Sequence, residues 1–214
     1  MAGIILVIIG LILSTVDIPS VILANYPKYE ILYEVEGLGE VIQQYVAYNL
    51  VGDKLRLDIF PDLLGYVFIL AGVCVLVRYN LKFLKVIVPL IATAGLCVFM
   101  KQIPFMYEGK DFIVNSLVVS VFALVIEIFM EYRLIYTIAD TTADLPNQRD
   151  TVLMKFGWIG SVLCRGFIYC IVLVGLADWI IVAYRIAQFG FMVFCIDRMF
   201  RCRHYLKKNE GKGE

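Results

Sequence analysis

Apolar positions along this chain fall into long unbroken runs, the clearest covering residues 60–77, 86–100, 112–126 and 157–196. A hydrocarbon core about 30 Å thick is crossed by about 20 such residues in a helix, so the runs predict membrane-spanning helices. A shorter run at the start, residues 2–13, is broken by Ser14, Thr15, Asp17 and Pro19. No basic segment precedes it, as a signal peptide would require, and it reads as a short spanning helix ending near Asp17 and Pro19. A re-entrant or interfacial segment is the alternative. The stretch 157–197 is too long for one span and suits two joined by a tight turn at residues 175–179. There Gly175 can end a helix in the left-handed conformation, Asp178 can cap the next one and Trp179 belongs at an interface. One very long helix is the competing reading. The expected fold class is an all-α polytopic transmembrane bundle of six spans, five if the first segment does not cross, forming a single integral membrane domain over residues 1–214.

The polar stretches between the runs carry their own patterns. In residues 25–57, Ile31, Leu32, Val35, Leu38, Val41, Ile42, Tyr45 and Val46 recur at helical spacing, with Glu30, Glu34, Glu36 and Glu40 among the positions between. That pattern predicts amphipathic helices forming an extracytoplasmic cap, its tyrosines at headgroup level. A plain surface connector is the simpler alternative. Pro89 should loosen the first turns of its helix. The fourth run continues amphipathically through Glu127, Glu131 and Arg133 toward Asp140, and is expected to project beyond the bilayer. Residues 139–154 read as a connector with a stop at Pro146. Gly3 and Gly10, and likewise Gly65 and Gly72, are seven apart, a spacing that puts each pair on one stripe for close helix approach. Ala183, Ala187 and Gly190 suggest the same for the last helix.

Composition strengthens the membrane reading. Apolar residues make up 61% and charged residues 18% of the 214, against about 45–50% and about 25% in soluble domains. Charge sets the orientation. With six spans, Arg78, Lys82, Lys85, Arg133, Arg149, Lys155 and the basic residues of 198–214 share one side, leaving Lys28, Lys54, Arg56, Lys101 and Lys110 on the other. The excess places both termini in the cytoplasm and makes residues 198–214 a basic cytoplasmic tail. Because that tail follows an apolar helix, its partner is anionic lipid and not nucleic acid. Five of the six cysteines lie in apolar runs, where thiols act as small hydrophobes, and no disulfide framework is implied. Cys195, Cys202 and His204 lack a fourth ligand at a familiar spacing, so no metal is assigned.

The string D-I-F-P-D-L-L-G-Y, residues 58–66, has Pro61 and Asp62 suited to a helix start by missing amide and favourable dipole. Together with V-D-I-P at residues 16–19, this string resembles a pattern in uncharacterised small multi-spanning bacterial membrane proteins. The resemblance covers mainly the first 80 residues. It implies a location in the bacterial cytoplasmic membrane, multi-pass, and carries over no functional residues.

Charges inside apolar runs are the remaining candidates, because a bare charge at mid-bilayer costs from about 2.5 kcal/mol upward. Arg165, about two turns into the fifth predicted helix, and Glu127, at similar depth in the fourth, form the candidate intramembrane ion pair. The pair either staples two helices, with snorkelling to the interface, or lines a solute pathway. Asp58, Asp62, Asp178 and Arg185 are interfacial polar candidates, with Arg185 expected to turn toward Asp178. No glycine-rich phosphate loop, nucleophile elbow or zinc helix is present, so no catalytic residue, cofactor or reaction is assigned. The expected role is structural, regulatory or in assembly, with the bilayer and a second membrane protein or another copy as partners. A small-solute transporter or channel component is the alternative.

Overall fold

A computed structural model describes residues 2–15, 62–100, 109–143, 147–174 and 178–206, and among them the chain is all helical, without a strand. The six α-helices are α1 (Ala2–Thr15), α2 (Asp62–Val77), α3 (Leu84–Met100), α4 (Gly109–Thr142), α5 (Gln148–Val174) and α6 (Asp178–Cys202). Single 3-10 turns, Leu81–Phe83 and Arg203–Tyr205, precede α3 and follow α6. Successive helices are neighbours, and α6 returns to α1, which closes the bundle. The expected cap at residues 25–57, Asp58 and residues 207–214 lie outside the described residues.

Helix boundaries follow local chemistry. Asp62 opens α2 as the acid in its first turn, complementing the positive end of the helix dipole. The turn between α2 and α3 is fixed by Asn80, whose side chain accepts the amide of Lys82 at 2.9 Å. Pro89 sits inside α3, and its carbonyl accepts the Thr93 hydroxyl at 2.8 Å. Residues 81–99 and 148–168 are each long and apolar enough to cross a membrane, while α1 and α2 are apolar but shorter. At 1.5 Å per residue the 14 residues of α1 reach about 21 Å.

Two helix pairs make the closest contacts, both through glycine. Antiparallel α1 and α2 cross with Gly10 opposite Gly65 and Gly3 opposite Gly72, so the expected glycine stripes meet face to face. A methyl group on Gly10 would lie 2.6 Å from the Gly65 carbonyl oxygen, and one on Gly72 would lie 2.6 Å from that of Gly3. The second pair, α5 and α6, is a separate antiparallel hairpin and not one long helix. Here Gly157 lies against the backbone of Phe191 and Cys195, and Gly160 against the Phe191 ring. The stripe expected to pack, Ala183, Ala187 and Gly190, instead faces outward, with nothing within 4 Å of a Cβ placed on Gly190. Small residues permit close approach on whichever face the bundle turns inward, and spacing alone does not choose that face.

Two further expectations are corrected. The connector over 139–154 shrinks to residues 143–147, because α4 runs to Thr142 and α5 already starts at Gln148. The amphipathic second half of α4 turns its apolar face into the bundle. Met130, Leu134, Ile135, Ile138 and Ala139 are buried with Phe83, Val86, Met154 and Met199 in the central core. The basic end is not a free tail through residue 202, since α6 remains helical to Cys202 and that thiol is buried. At this end Asn147 donates to the Thr142 carbonyl at 3.2 Å and to Cys202 Sγ at 3.1 Å, and Arg198 pairs with Asp150 at 2.9 Å. These contacts tie α4, α5 and α6 where the chain turns.

Candidate functional site

The middle of the bundle holds a compact charged group built by three helices. Glu127 and Glu131 are four residues apart on α4, so both face the same way. Arg165 on α5 reaches both. Its Nη1 lies 3.7 Å from Glu127 Oε1, and its Nη2 donates to Glu131 Oε2. Trp158, seven residues before Arg165 on the same face of α5, donates its indole N–H to the same Glu131 oxygen at 2.9 Å. From α2, the Tyr66 hydroxyl donates to Glu127 Oε1 at 3.4 Å, a long contact. The side chains of Arg165, Glu127 and Glu131 are only 11%, 16% and 5% exposed.

The surroundings hold these groups in place. Trp158 meets Tyr136 edge-on with ring centroids 5.8 Å apart and Tyr132 at 5.9 Å, which fixes the indole while its N–H reaches the carboxylate. Tyr66 is buried on α2, directly after Gly65 of the α1–α2 crossing. Asp62, one turn before Tyr66, accepts from the Cys97 thiol of α3 at 3.9 Å. Formally the three-helix group contains two carboxylates and one guanidinium. Burying three charges costs several kcal/mol per ion, and the cost is offset here only because each carboxylate also accepts a neutral donor, Trp158 or Tyr66.

The helices extend farther than expected on either side of this group. Because α5 starts at Gln148, Arg165 lies 17 residues into it, nearly five turns and not two. Glu127 lies 15 residues before the end of α4. Glu127 is therefore near the middle of α4, and Arg165 lies nine residues before the end of α5. Of the other candidates, Asp62 sits beside the group, Asp58 lies outside the described residues, and Arg185 lies seven residues into α6, half-buried. The expected turn of Arg185 toward Asp178 involves a side chain outside the described residues. Among the described residues no cluster of histidine, cysteine or acidic side chains has the makings of a metal site.

Sequence reasoning missed Glu131, Trp158 and Tyr66. Glu131 was readable in part, since its spacing from Glu127 puts both on one face of α4. Trp158 and Tyr66 carried no signal, as each sits in an apolar run where an aromatic residue needs no explanation. Trp158→Phe should keep the ring contacts and lose one charge-assisted hydrogen bond, costing about 1.5–3 kcal/mol. Thermal unfolding in detergent would show it as a lower Tm; an unchanged Tm would remove Trp158 from the network. Comparison with protein-family models, characterised proteins and solved structures finds no match for this chain.

Proposed function

We propose that this chain is a polytopic integral membrane protein of the cytoplasmic membrane, six-spanning with both termini inside, whose role is structural, regulatory or in assembly with a second membrane helix. The observation that supports the membrane location is an inverted distribution of polarity. Every described α-helix turns large apolar side chains outward, such as Ile5, Val67, Val88, Phe122, Phe167 and Ile186, at 41% to 75% exposure. The charged group of Glu127, Glu131 and Arg165 points inward. Water would favour the opposite arrangement, whereas lipid tolerates apolar side chains outside and drives charges to pair inside.

Orientation follows from the end of the bundle where α2 meets α3, α4 meets α5 and α6 finishes. Arg78, Lys82, Lys85, Arg149, Lys155, Arg198, Arg201 and Arg203 lie at or near that end, where Lys155 pairs with Asp140, Arg198 with Asp150 and Arg201 with Asp197. The basic excess favours the cytoplasmic face. Reporter fusions after residues 80, 145 and 206 should all report the cytoplasm, and one after residue 176 the opposite side. A periplasmic signal at any of the first three would refute this topology.

The assembly reading is supported by α6. Its small residues Ala183, Ala187 and Gly190 face away from the bundle, the kind of surface on which another membrane helix approaches closely. Purification in mild detergent should recover either a stoichiometric membrane partner or a dimer. Ala187→Leu with Gly190→Leu should abolish that association while leaving the monomer folded. A monodisperse monomer with no partner, unchanged by the two substitutions, would end this reading. Solute transport is the second reading, favoured by the burial of the Glu127–Arg165–Glu131 group between three helices. Uptake that fails when any of the three is neutralised would favour it.

A further inference from the structure

Ser161 is fully buried at 0% exposure, and its hydroxyl has no hydrogen-bond partner among the described residues. One turn later on α5, Arg165 Nε is also buried and unpartnered, although both Nη groups of that side chain are engaged by Glu127 and Glu131. Positions four apart on a helix are neighbours, with Cβ atoms about 5–6 Å from each other. Two buried polar groups are thus left without partners one turn apart on the same face of α5. Leaving a buried hydroxyl and a guanidinium N–H dry is costly, and folded proteins meet such pairs with a bound oxygen.

We propose that Ser161 and Arg165 together hold a hydrogen-bond-accepting oxygen, that of an internal water or of a hydroxyl or carbonyl group on a small solute. Arg165 Nε–H donates to it, and the Ser161 hydroxyl donates or accepts according to the occupant. The charge balance selects a neutral oxygen over an anion, because two carboxylates already share the one guanidinium. Trp158, Ser161 and Arg165 line one face of α5, so the bound oxygen adjoins the Glu131 side of the network and extends it along the helix. This site rests on burial and geometry within the bundle and stands whether or not the helices cross a bilayer.

The test is Ser161→Ala, compared with the unaltered protein by thermal unfolding in detergent and checked for retained helicity. A bridged oxygen that loses one of its two anchors should lower Tm by about 2–4 °C, the shift for a single hydrogen bond in a chain of this size. A dry hydroxyl predicts the reverse. Removing an unpartnered buried polar group in favour of the best helix former should leave Tm unchanged or raise it, and either result overturns the proposal. Native mass spectrometry of the detergent complex distinguishes the sources. A retained small-molecule mass that Ser161→Ala abolishes assigns a solute, and a fall in Tm without such a mass assigns water.

Discussion

Arg165→Leu is expected to be the most damaging single substitution in the bundle, lowering stability by about 3–5 kcal/mol because it leaves two carboxylates buried without a cation. For a chain of this length that corresponds to a fall in Tm of about 6–20 °C. The network also predicts an order. Glu131→Leu should cost less, since Arg165 keeps Glu127 at 3.7 Å. Glu127→Leu should cost least, because its contacts, 3.4 Å to Tyr66 and 3.7 Å to Arg165, are the longest in the group. Arg165→Lys should recover little, as one ammonium cannot reach two carboxylates with the geometry of a guanidinium fork. Replacing Glu127, Glu131 and Arg165 together by Leu, Leu and Met should restore most of the stability, for a buried ionic group costs more when broken than when removed whole. Thermal unfolding of the purified variants in detergent measures the series. Equal losses for the three single leucine variants would show that the side chains do not act as one network.

The second large effect concerns the α1–α2 crossing. Gly10→Ala and Gly72→Ala each push a methyl group to within 2.6 Å of a backbone carbonyl on the facing helix, where no flexible side chain can give way. Separation of the two helices should cost about 1–3 kcal/mol for each substitution. Losses from the two should not simply add, because the first already opens the seam that the second would clash with. Gly166→Ala and Gly190→Ala provide the contrast. Nothing lies within 4 Å of a Cβ at either position, so the better helix propensity of alanine should stabilise by up to about 1 kcal/mol. If all four variants shifted Tm alike, helix propensity and not backbone approach would be the governing term. Tyr66 follows Gly65 of that seam directly in α2, so opening the seam should shift it. Gly10→Ala should therefore weaken the Tyr66 contact to Glu127 and make Glu127→Leu less costly in its background.

Legibility differed by element for physical reasons. The start of α2 could be read closely from the sequence, because Pro61 and Asp62 act locally through the missing amide and the helix dipole, whereas the Asn80 turn before α3 showed itself only in the structure. The start of α5 could not. Residues 148–156 mix polar and apolar positions, and only packing against α4 and α6 decides that they are helical. The stripes of Gly3, Gly10, Gly65 and Gly72 were readable because each glycine pair stands out in an otherwise bulky run. Gly157 and Gly160 also make a close contact but lie three apart among larger neighbours, and Ala183, Ala187 and Gly190 showed the better pattern on a face turned away from the bundle.

What the sequence determined by itself was helicity, the long apolar runs and the equal depth of Glu127 and Arg165 along neighbouring helices. These follow from composition and the helical repeat, which act over a few turns of one chain segment. Which face of each helix turns inward was decided only in three dimensions. That choice placed Glu131, Trp158, Tyr66 and Ser161 beside Arg165 and left the alanine stripe of α6 outside. It depends on the summed packing of six helices, and no single segment carries it.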